Sequence, residues 1–337
     1  MKHVETFPRS ATGLDPKRVL VAVPVLNEAR HISACLASLL EGDESLQHVR
    51  LIVADGGSTD STRELVSQFV ADFPNMELID NPGRLQSAAL NRIVGMMAEA
   101  HHDILVRCDA HATYPPRYIL DVAERLQSCE AEALATPMDA IGETCFARAA
   151  AWVVDTPLGS GGSPHRGGRG SGYVDHGHHA GVRIDSFRKI RGYDESFSHN
   201  EDAEFDHRLR QAGGRIWLEA DIRLTYRMRT SIASLARQYW FYGRGRARTY
   251  LKHRMWPRLR QVIPVANLIL LLLSPPLGQL SPIFLVWPIV YFGLLLASSL
   301  FLAVKKRSAC GLLAGPALAA MHISWGAGFL RQLLVGR

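Results

Sequence analysis

Acidic residues are missing from the last third of this 337-residue chain: all 32 Asp and Glu lie at or before Asp221, whereas residues 222–337 carry 16 Lys and Arg. Any carboxylate chemistry must therefore come from residues 1–221, whose 22 basic side chains leave a net charge of −10. Cysteine is scarce as well. Cys35, Cys108, Cys129, Cys145 and Cys310 show no CxxC spacing, which argues against a thiolate metal cluster and predicts reduced thiols in an intracellular compartment. Residues 1–18 are polar and lack an apolar h-region, so the expectation is no secretory leader and a soluble domain in the cytosol.

The acid-free part has a pattern of its own. Nine Arg and one Lys fall between Arg227 and Arg260, and very apolar sequence follows, as in a juxtamembrane basic stretch leading into membrane helices. The adjoining apolar segments explain the arginines better than nucleic acid does, so no nucleic-acid partner is expected. Residues 282–304 hold no formal charge over 23 positions, enough to cross a hydrocarbon core of about 30 Å. Residues 311–330 are a second uncharged stretch, with small residues suited to close helix packing. Residues 262–280 are interrupted by Pro264, Pro275 and Pro276 and contain Asn267, which leaves a span, a re-entrant hairpin or an interfacial helix open. Lys305, Lys306 and Arg307 place their end, and the basic stretch, on the cytoplasmic side. The expected organisation is a tail (1–17), a catalytic domain (18–225), basic juxtamembrane helices (226–261) and a membrane region (262–334). That describes a multi-pass inner-membrane protein with its catalytic domain in the cytoplasm.

The first half alternates strands and helices. Residues 19–28, VLVAVPVLNE, and 53–60, VADGGSTD, are apolar strands ending in polar chemistry, so Asn27, Glu28, Asp55 and Asp60 should share one crevice at the carboxyl edge of a sheet. Ser61 with Glu64 has capping-box spacing ahead of a helix containing Leu65, Val66, Phe69, Val70 and Phe73. Residues 76–80 and 103–108 read as strands, and 85–100 and 118–126 as helices. This rhythm predicts an α/β domain with a mostly parallel sheet.

Three further constellations carry chemistry. Arg107-Cys-Asp109-Ala-His111 ends a strand with two potential ligands two residues apart, which extended backbone would point at one cation. The glycine-dense stretch 159–170 embeds Arg166 and Arg169, suited to phosphate or sugar. Glu201 and Asp202 open an amphipathic helix, where carboxylates are expected to stay ionised. His176, His178 and His179 lie between the last two and are candidates for acceptor or phosphate contact, or for structural roles.

In this order, these residues resemble the family 2 glycosyltransferases, inverting enzymes of GT-A fold that use nucleotide-sugar donors; the resemblance spans roughly 17–214. It implies donor binding by Pro24, Asn27, Glu28, Asp55, Ser58, Arg84 and Asp109, with Ala89 to Asn91 bordering the donor. Asp109 stands at the first position of the metal-binding DxD, with His111 replacing its last acid, so the expected cofactor is Mg²⁺ or Mn²⁺ held by Asp109 and His111. Glu201 and Asp202 match the family's ED motif, making Asp202 the implied general base and Glu201 its neighbour. Residues 174–194, 238–248 and 322–329 narrow the likeness to glucosyltransferases of succinoglycan-like exopolysaccharide biosynthesis. That implies UDP-glucose as donor, a lipid diphosphate-linked saccharide as acceptor, a β-1,3 bond and other polysaccharide-assembly proteins nearby. Glu201, Arg166, His178, Gln238, Arg244 and Arg246 are then candidates for acceptor or diphosphate contact. Gln238 is followed by Tyr-Trp-Phe-Tyr rather than the QxxRW of processive synthases, which argues against processivity. Two alternatives stand beside this reading: a membrane binding or translocation subunit with a degenerate transferase domain, and a nucleotidyltransferase.

Overall fold

The uniformly apolar run VLVAVPV forms β1 (Val19–Val25), buried on both faces as a central parallel strand requires. The computed structural model describes residues 13–162, 166 and 168–336 and divides the chain into two compact units. Residues up to Met138 together with Gly168–Thr225 make the first, and Asp139–Gly167 with Tyr226 onward the second.

Among the described residues nine further strands follow: β2 (Arg50–Asp55), β3 (Met76–Asp80), β4 (Ile104–Arg107), β5 (Ala133–Ala135), β6 (Met138–Ile141), β7 (Gly172–Val174), β8 (His179–Arg183), β9 (Ile216–Leu218) and β10 (Leu224–Arg227). Seven of them join β1 in one sheet in the order β3-β2-β1-β4-β8-β5-β9-β7, and β6 pairs with β10. β1 runs parallel to both neighbours, with Val25 opposite Asp55 and Ala22 opposite Arg107. Strand order reverses about β1, so the polar ends of β1, β2 and β4 open together at the switch point of the sheet. β8 is antiparallel to β4 and β5.

Helices α1 (Ile32–Leu39), α2 (Thr62–Asp72), α3 (Gln86–Met97) and α4 (Tyr118–Ser128) each follow a strand, as the sequence rhythm predicts. The capping box at Ser61 does not form: Ser61 makes no cap bond, and the Asp60 carboxylate instead accepts the amides of Thr62 (3.1 Å) and Ala29 (3.2 Å). An ionised acceptor that can serve two amides outcompetes a neighbouring hydroxyl. α5 (Cys145–Val154) and α6 (Pro157–Ser160) belong to the second unit, whereas α7 (Ile184–Lys189) and α8 (Glu201–Gln211) return to the first. Leu20, Ala22, Ile52 and Ala54 pack against Leu90 and Ile93 of α3, Phe187 of α7 and Phe205 of α8. Each such large side chain contributes about 1.5–3 kcal/mol on burial, and together they fix α8 against the sheet. Gly192 has φ +64°, and a Cβ there would lie 2.2 Å from Asn91 Oδ1. Glycine thus lets Asn91 bond both the amide (2.8 Å) and the carbonyl (2.9 Å) of Tyr193. Asn91, at the end of the segment expected to border the donor, anchors the chain ahead of α8.

The second unit is helical: α9 (Ile232–His253), α10 (Leu259–Gly278), α11 (Val286–Lys305) and α12 (Ala314–Val335) join α5 and α6. Three segments, Leu259–Gly278, Pro282–Lys305 and Ala309–Val335, are long and apolar enough to cross a membrane. The prolines expected to interrupt the first do not end it. Pro264 lies in its second turn and Pro275 and Pro276 in its last, and each takes one N–H donor from the helix without ending it. α12 is the inner helix: half of its apolar window is buried, against 22% and 17% for the other two. Ala147, Ala150, Ala151 and Val154 of α5 join Leu295, Leu302, Ala314 and Met321 in one core, so 139–167 packs with the membrane-type helices although its neighbours in sequence lie in the α/β unit. Cys145 and Cys310 form a disulfide with a Cα separation of 5.0 Å, which corrects the expectation of five reduced thiols. Nothing in their spacing signals it, because 165 residues separate them.

Candidate active site

The turns after β1 and β2 are tied together by their own polar residues. Asn27, with φ 56°, donates its amide to Ser58 Oγ (2.9 Å), and its Oδ1 accepts the amide of Thr59 (2.8 Å). Asp55 is 1% exposed and accepts from the Gly57 amide (3.1 Å), Ser58 Oγ (2.5 Å) and Arg63 Nη1 (2.8 Å). Burial opposes its ionisation, but the bonds from Ser58 and Arg63 prevail and hold Asp55 below the usual carboxylate range. Pro24 pairs with Ala54 in the sheet, one residue before this edge. Arg84 is exposed in a turn with φ 58°, its amide bonded to the Asn81 carbonyl (3.0 Å). The sequence-predicted crevice at these strand ends is therefore one hydrogen-bonded structure, and Asp55 both shapes the turn and lines it.

The centre of the site is a residue that sequence reasoning passed over. Arg107, the last residue of β4, is 6% exposed and pairs with Asp109 Oδ1 (Nε, 3.3 Å) and with Asp202 Oδ1 through Nη1. Asp202 reaches it from the first turn of α8, entered through Asn200 at φ 62°. Both carboxylates are 18% exposed. Burial alone would raise their pKa values, but Arg107 outweighs it and holds both below the usual range. Gln86 at the start of α3 donates to Asp109 Oδ1 (2.8 Å), and His178 Nε2 lies 3.7 Å from Asp109 Oδ2. Glu201 departs from expectation. Burial, and then the adjacent Asp202 charge, push it up to about 7, so the helix N-terminus does not keep it fully ionised at neutral pH. A lone Arg ending the apolar strand ILVR is the signal that could have marked this centre, since a buried Arg needs partners.

Asp109 and His111 are not set on extended backbone. The Ala112 amide bonds the Asp109 carbonyl (3.0 Å) and closes a turn, which sends His111 toward Glu28, with Nδ1 3.5 Å from Oε1. Among the described residues no three His, Cys, Asp or Glu side chains converge as a metal cage. The donor set fits a hard divalent cation held by a single carboxylate and completed by substrate phosphates and water, a mode typical of Mg²⁺. His179 and His176 are occupied elsewhere: each bonds one oxygen of the buried Asp206 (2.5 and 2.6 Å).

The remaining candidates lie in the second unit. Gln238 on α9 donates to the hydroxyls of Tyr226 (2.6 Å) and Tyr242 (2.9 Å), and the Arg166 guanidinium stacks 4.7 Å from the Tyr226 ring centre. Nη1 of Arg166 is buried with no hydrogen-bond partner among the described residues. Arg244 reaches Gln332 Oε1 (3.4 Å), and Arg246 is half-buried on the same helix.

A switch-point crevice with a strand-end Asp and an acidic helix start is the geometry now compared with known proteins. Residues 20–191 match the family described as "Glycosyl transferase family 2", and the chain belongs to it. It is 42% identical over 330 residues to the succinoglycan biosynthesis protein ExoA of Rhizobium meliloti (strain 1021), covering 96% of this chain and 98% of that one. It is 24% identical, over 94% of this chain and 98% of the other, to the dolichyl N-acetyl-alpha-D-glucosaminyl phosphate 3-beta-D-2,3-diacetamido-2,3-dideoxy-beta-D-glucuronosyltransferase of Methanococcus voltae. The solved mannosyltransferase PcManGT of Pyrobaculum calidifontis, in complex with GDP-Man and Mn²⁺, shares the fold at a TM-score of 0.56 and 19% identity, covering 95% of this chain and 88% of that one. The chain is an enzyme, a glycosyltransferase of GT-A-like fold with three C-terminal helices able to span a membrane.

Proposed function

We propose that the enzyme transfers glucose from UDP-glucose, with inversion, to a lipid diphosphate-linked saccharide during assembly of a succinoglycan-like exopolysaccharide. The likeness to ExoA supports the pathway, and the M. voltae relative, named for a dolichyl phosphate-linked acceptor and a 3-beta bond, supports a lipid-borne acceptor and a β linkage. The observation that carries the mechanism is the single guanidinium, Arg107, holding two carboxylates ionised in the same crevice.

Asp202 is the general base. The acceptor hydroxyl attacks the anomeric carbon of an α-linked donor, its proton passes to the Asp202 carboxylate, and the sugar–phosphate bond breaks with its electron pair leaving on the diphosphate. One displacement gives the β product. General-base catalysis of this kind contributes about 10² to 10⁴-fold. Asp109 is the residue that would hold a divalent cation, which when bound offsets charge on the departing diphosphate. His178, beside Asp109, is a candidate contact for the diphosphate or acceptor. Asn27, Glu28, Asp55, Ser58 and Arg84 border the nucleotide, with Pro24 shaping that edge. Arg166, whose Nη1 has no hydrogen-bond partner among the described residues, meets the acceptor's diphosphate together with Gln238, Arg244 and Arg246. The three apolar helices cross the inner membrane, with residues 305–307 and the basic stretch on the cytoplasmic side.

The test is Asp202→Asn, which keeps shape and removes the proton acceptor. Transfer to a lipid-linked acceptor should fall by about 10² to 10⁴-fold while UDP affinity stays within a few-fold. A variant that turns over like the wild type refutes the assignment. Incubating membranes with each labelled nucleotide sugar, then determining the linkage formed, tests donor and bond together.

A further inference from the structure

Behind Asp202 lies a chain of polar groups with no part in the chemistry above. His176 Nδ1 is 2.6 Å from Asp206 Oδ2, and His179 Nε2 is 2.5 Å from Asp206 Oδ1. His179 Nδ1 lies 2.6 Å from the Tyr193 hydroxyl, which donates to Asp202 Oδ1 at 3.4 Å. His179 Nδ1 itself is 3.6 Å from that oxygen. Asp202 and Asp206 share one face of α8, four residues apart. Asp206 is 1% exposed and the His179 side chain 3%, whereas His176, at 21%, faces water. A carboxylate buried this deeply between two imidazoles is costly unless its charge is matched, and the arrangement ends on the proposed base.

We infer that His179, clamped by Asp206 and bonded to Tyr193, is a positioning residue for Asp202: it fixes where that carboxylate points and keeps it ionised and ready for the acceptor proton. This rests on Asp202 being the base. The groups facing Asp202 are Arg107 from β4, His179 from β8 with His178 beside it, Tyr193 from the loop before α8, and Glu201 and Asp206 from α8 itself. Arg107 and, when it is protonated, His179 oppose the two neighbouring acids. Burial works against the charge on His179, but Asp206 prevails and raises its pKa, while Asp206 is held down at about 2 despite burial. An imidazolium at 179 donates from both nitrogens, to Asp206 and to the Tyr193 oxygen, which leaves the Tyr193 proton for Asp202. Tyr193 is in turn held by Asn91 and by stacking on Phe205 at 4.4 Å.

The experiment compares full-length wild type with His179→Gln, Tyr193→Phe, the double variant and Asp202→Asn, measuring kcat and KM across pH and UDP affinity by calorimetry. His179→Gln should lose about 10²-fold in kcat, the cost of a misplaced catalytic group, with UDP affinity unchanged. Removing a cation beside Asp202 raises its pKa, so the acid limb of the rate profile should move to higher pH. The double variant should be no slower than the slower single, because both act through one oxygen. Tyr193→Phe retains the stacked ring and reports on the chain even if His179→Gln does not fold. An unmoved acid limb, additive losses, or loss of UDP binding in a folded Tyr193→Phe overturns the positioning role. Normal turnover in Asp202→Asn overturns the base assignment itself, whereas an inactive Asp202→Asn beside a normal His179→Gln overturns only the inference about His179.

Discussion

Replacing Arg107 by Met keeps an unbranched apolar stem and removes the guanidinium that pairs with both Asp109 and Asp202. Arg107 is 6% exposed and its two partners 18%, so this half-buried group stands closer to the buried class of ion pair than to the surface class. Breaking such a pair from one side costs about 3–5 kcal/mol, because the charges left behind have lost their compensation. Each kcal/mol moves the melting temperature of a domain of this size by about 2–4 °C, so a loss of roughly 6–20 °C is expected. The pH dependence has a definite sign. Both carboxylates titrate lower in the folded protein than in the unfolded chain, so their pairing contributes stability that is complete above the unfolded carboxylate range, about 4, and fades as pH falls through the depressed folded values. The deficit of Arg107→Met should therefore be full at pH 7 and shrink below about pH 4. Arg107→Lys keeps the charge but loses the fork that reaches two acids at once, and should fall between. Melting curves of the full-length protein in detergent across pH 3–8, with UDP binding measured alongside, decide the matter. A Met variant as stable as wild type at pH 7, or a deficit independent of pH, would refute the reasoning.

Glu201→Gln should stabilise the protein as pH rises from about 4.5 through 7, by roughly 1–3 kcal/mol, because folding then no longer resists ionisation of a carboxyl held up at about 7; equal melting temperatures at pH 8 would contradict this. Chelation by EDTA, or Asp109→Ala, should abolish transfer, whereas His111→Ala should leave the metal requirement in place because His111 faces Glu28; activity that survives EDTA removes cation catalysis from the mechanism. Gly243→Leu should lower stability by more than the 1–3 kcal/mol typical of overpacking, since a Cβ there would lie 2.0 Å from the Trp325 carbonyl of α12. UDP binding should persist, and a variant that melts like wild type shows that α9 and α12 have room to part.

Much of the first unit was legible because its signals are local. Residues 76–80 are β3 as read, and the apolar strands ending in Asn27 and Asp55 do meet, because their registers put Val25 opposite Asp55. Small residues in 311–330 likewise announced the close packing of α12. What escaped depends on three-dimensional partners. Arg107 ends a four-residue strand, and its partner Asp202 lies 95 residues on. His111 was misdirected by treating Asp-Ala-His as extended, when a single backbone bond from Ala112 to Asp109 turns the chain. Glu201 looks like an ordinary helix-start acid, and only burial beside Asp202 raises it.

Charge along the chain led to a division that the fold draws differently. The acid-free sequence after Asp221 suggests a catalytic half followed by a detachable anchor. Yet Asp139–Gly167 leaves the α/β unit and packs among the apolar helices, bringing Asp139, Glu143 and Asp155 into an otherwise cationic unit, where Glu143 pairs with Arg227. The segment carries little apolar signal of its own: α5 is ten residues long, too short to span a bilayer, and is easily read as one more helix of the catalytic domain. Its small face of Ala147, Ala150 and Ala151 has its partners in α11 and α12, and Cys145 is covalently joined to Cys310 at the turn between those two helices. Cutting the chain near Arg260 would remove those partners and leave the α5 face uncovered, a surface of the kind that drives aggregation. The membrane-type helices are therefore part of the folded core around 139–167, and anchoring the enzyme and completing its fold are tasks of the same residues.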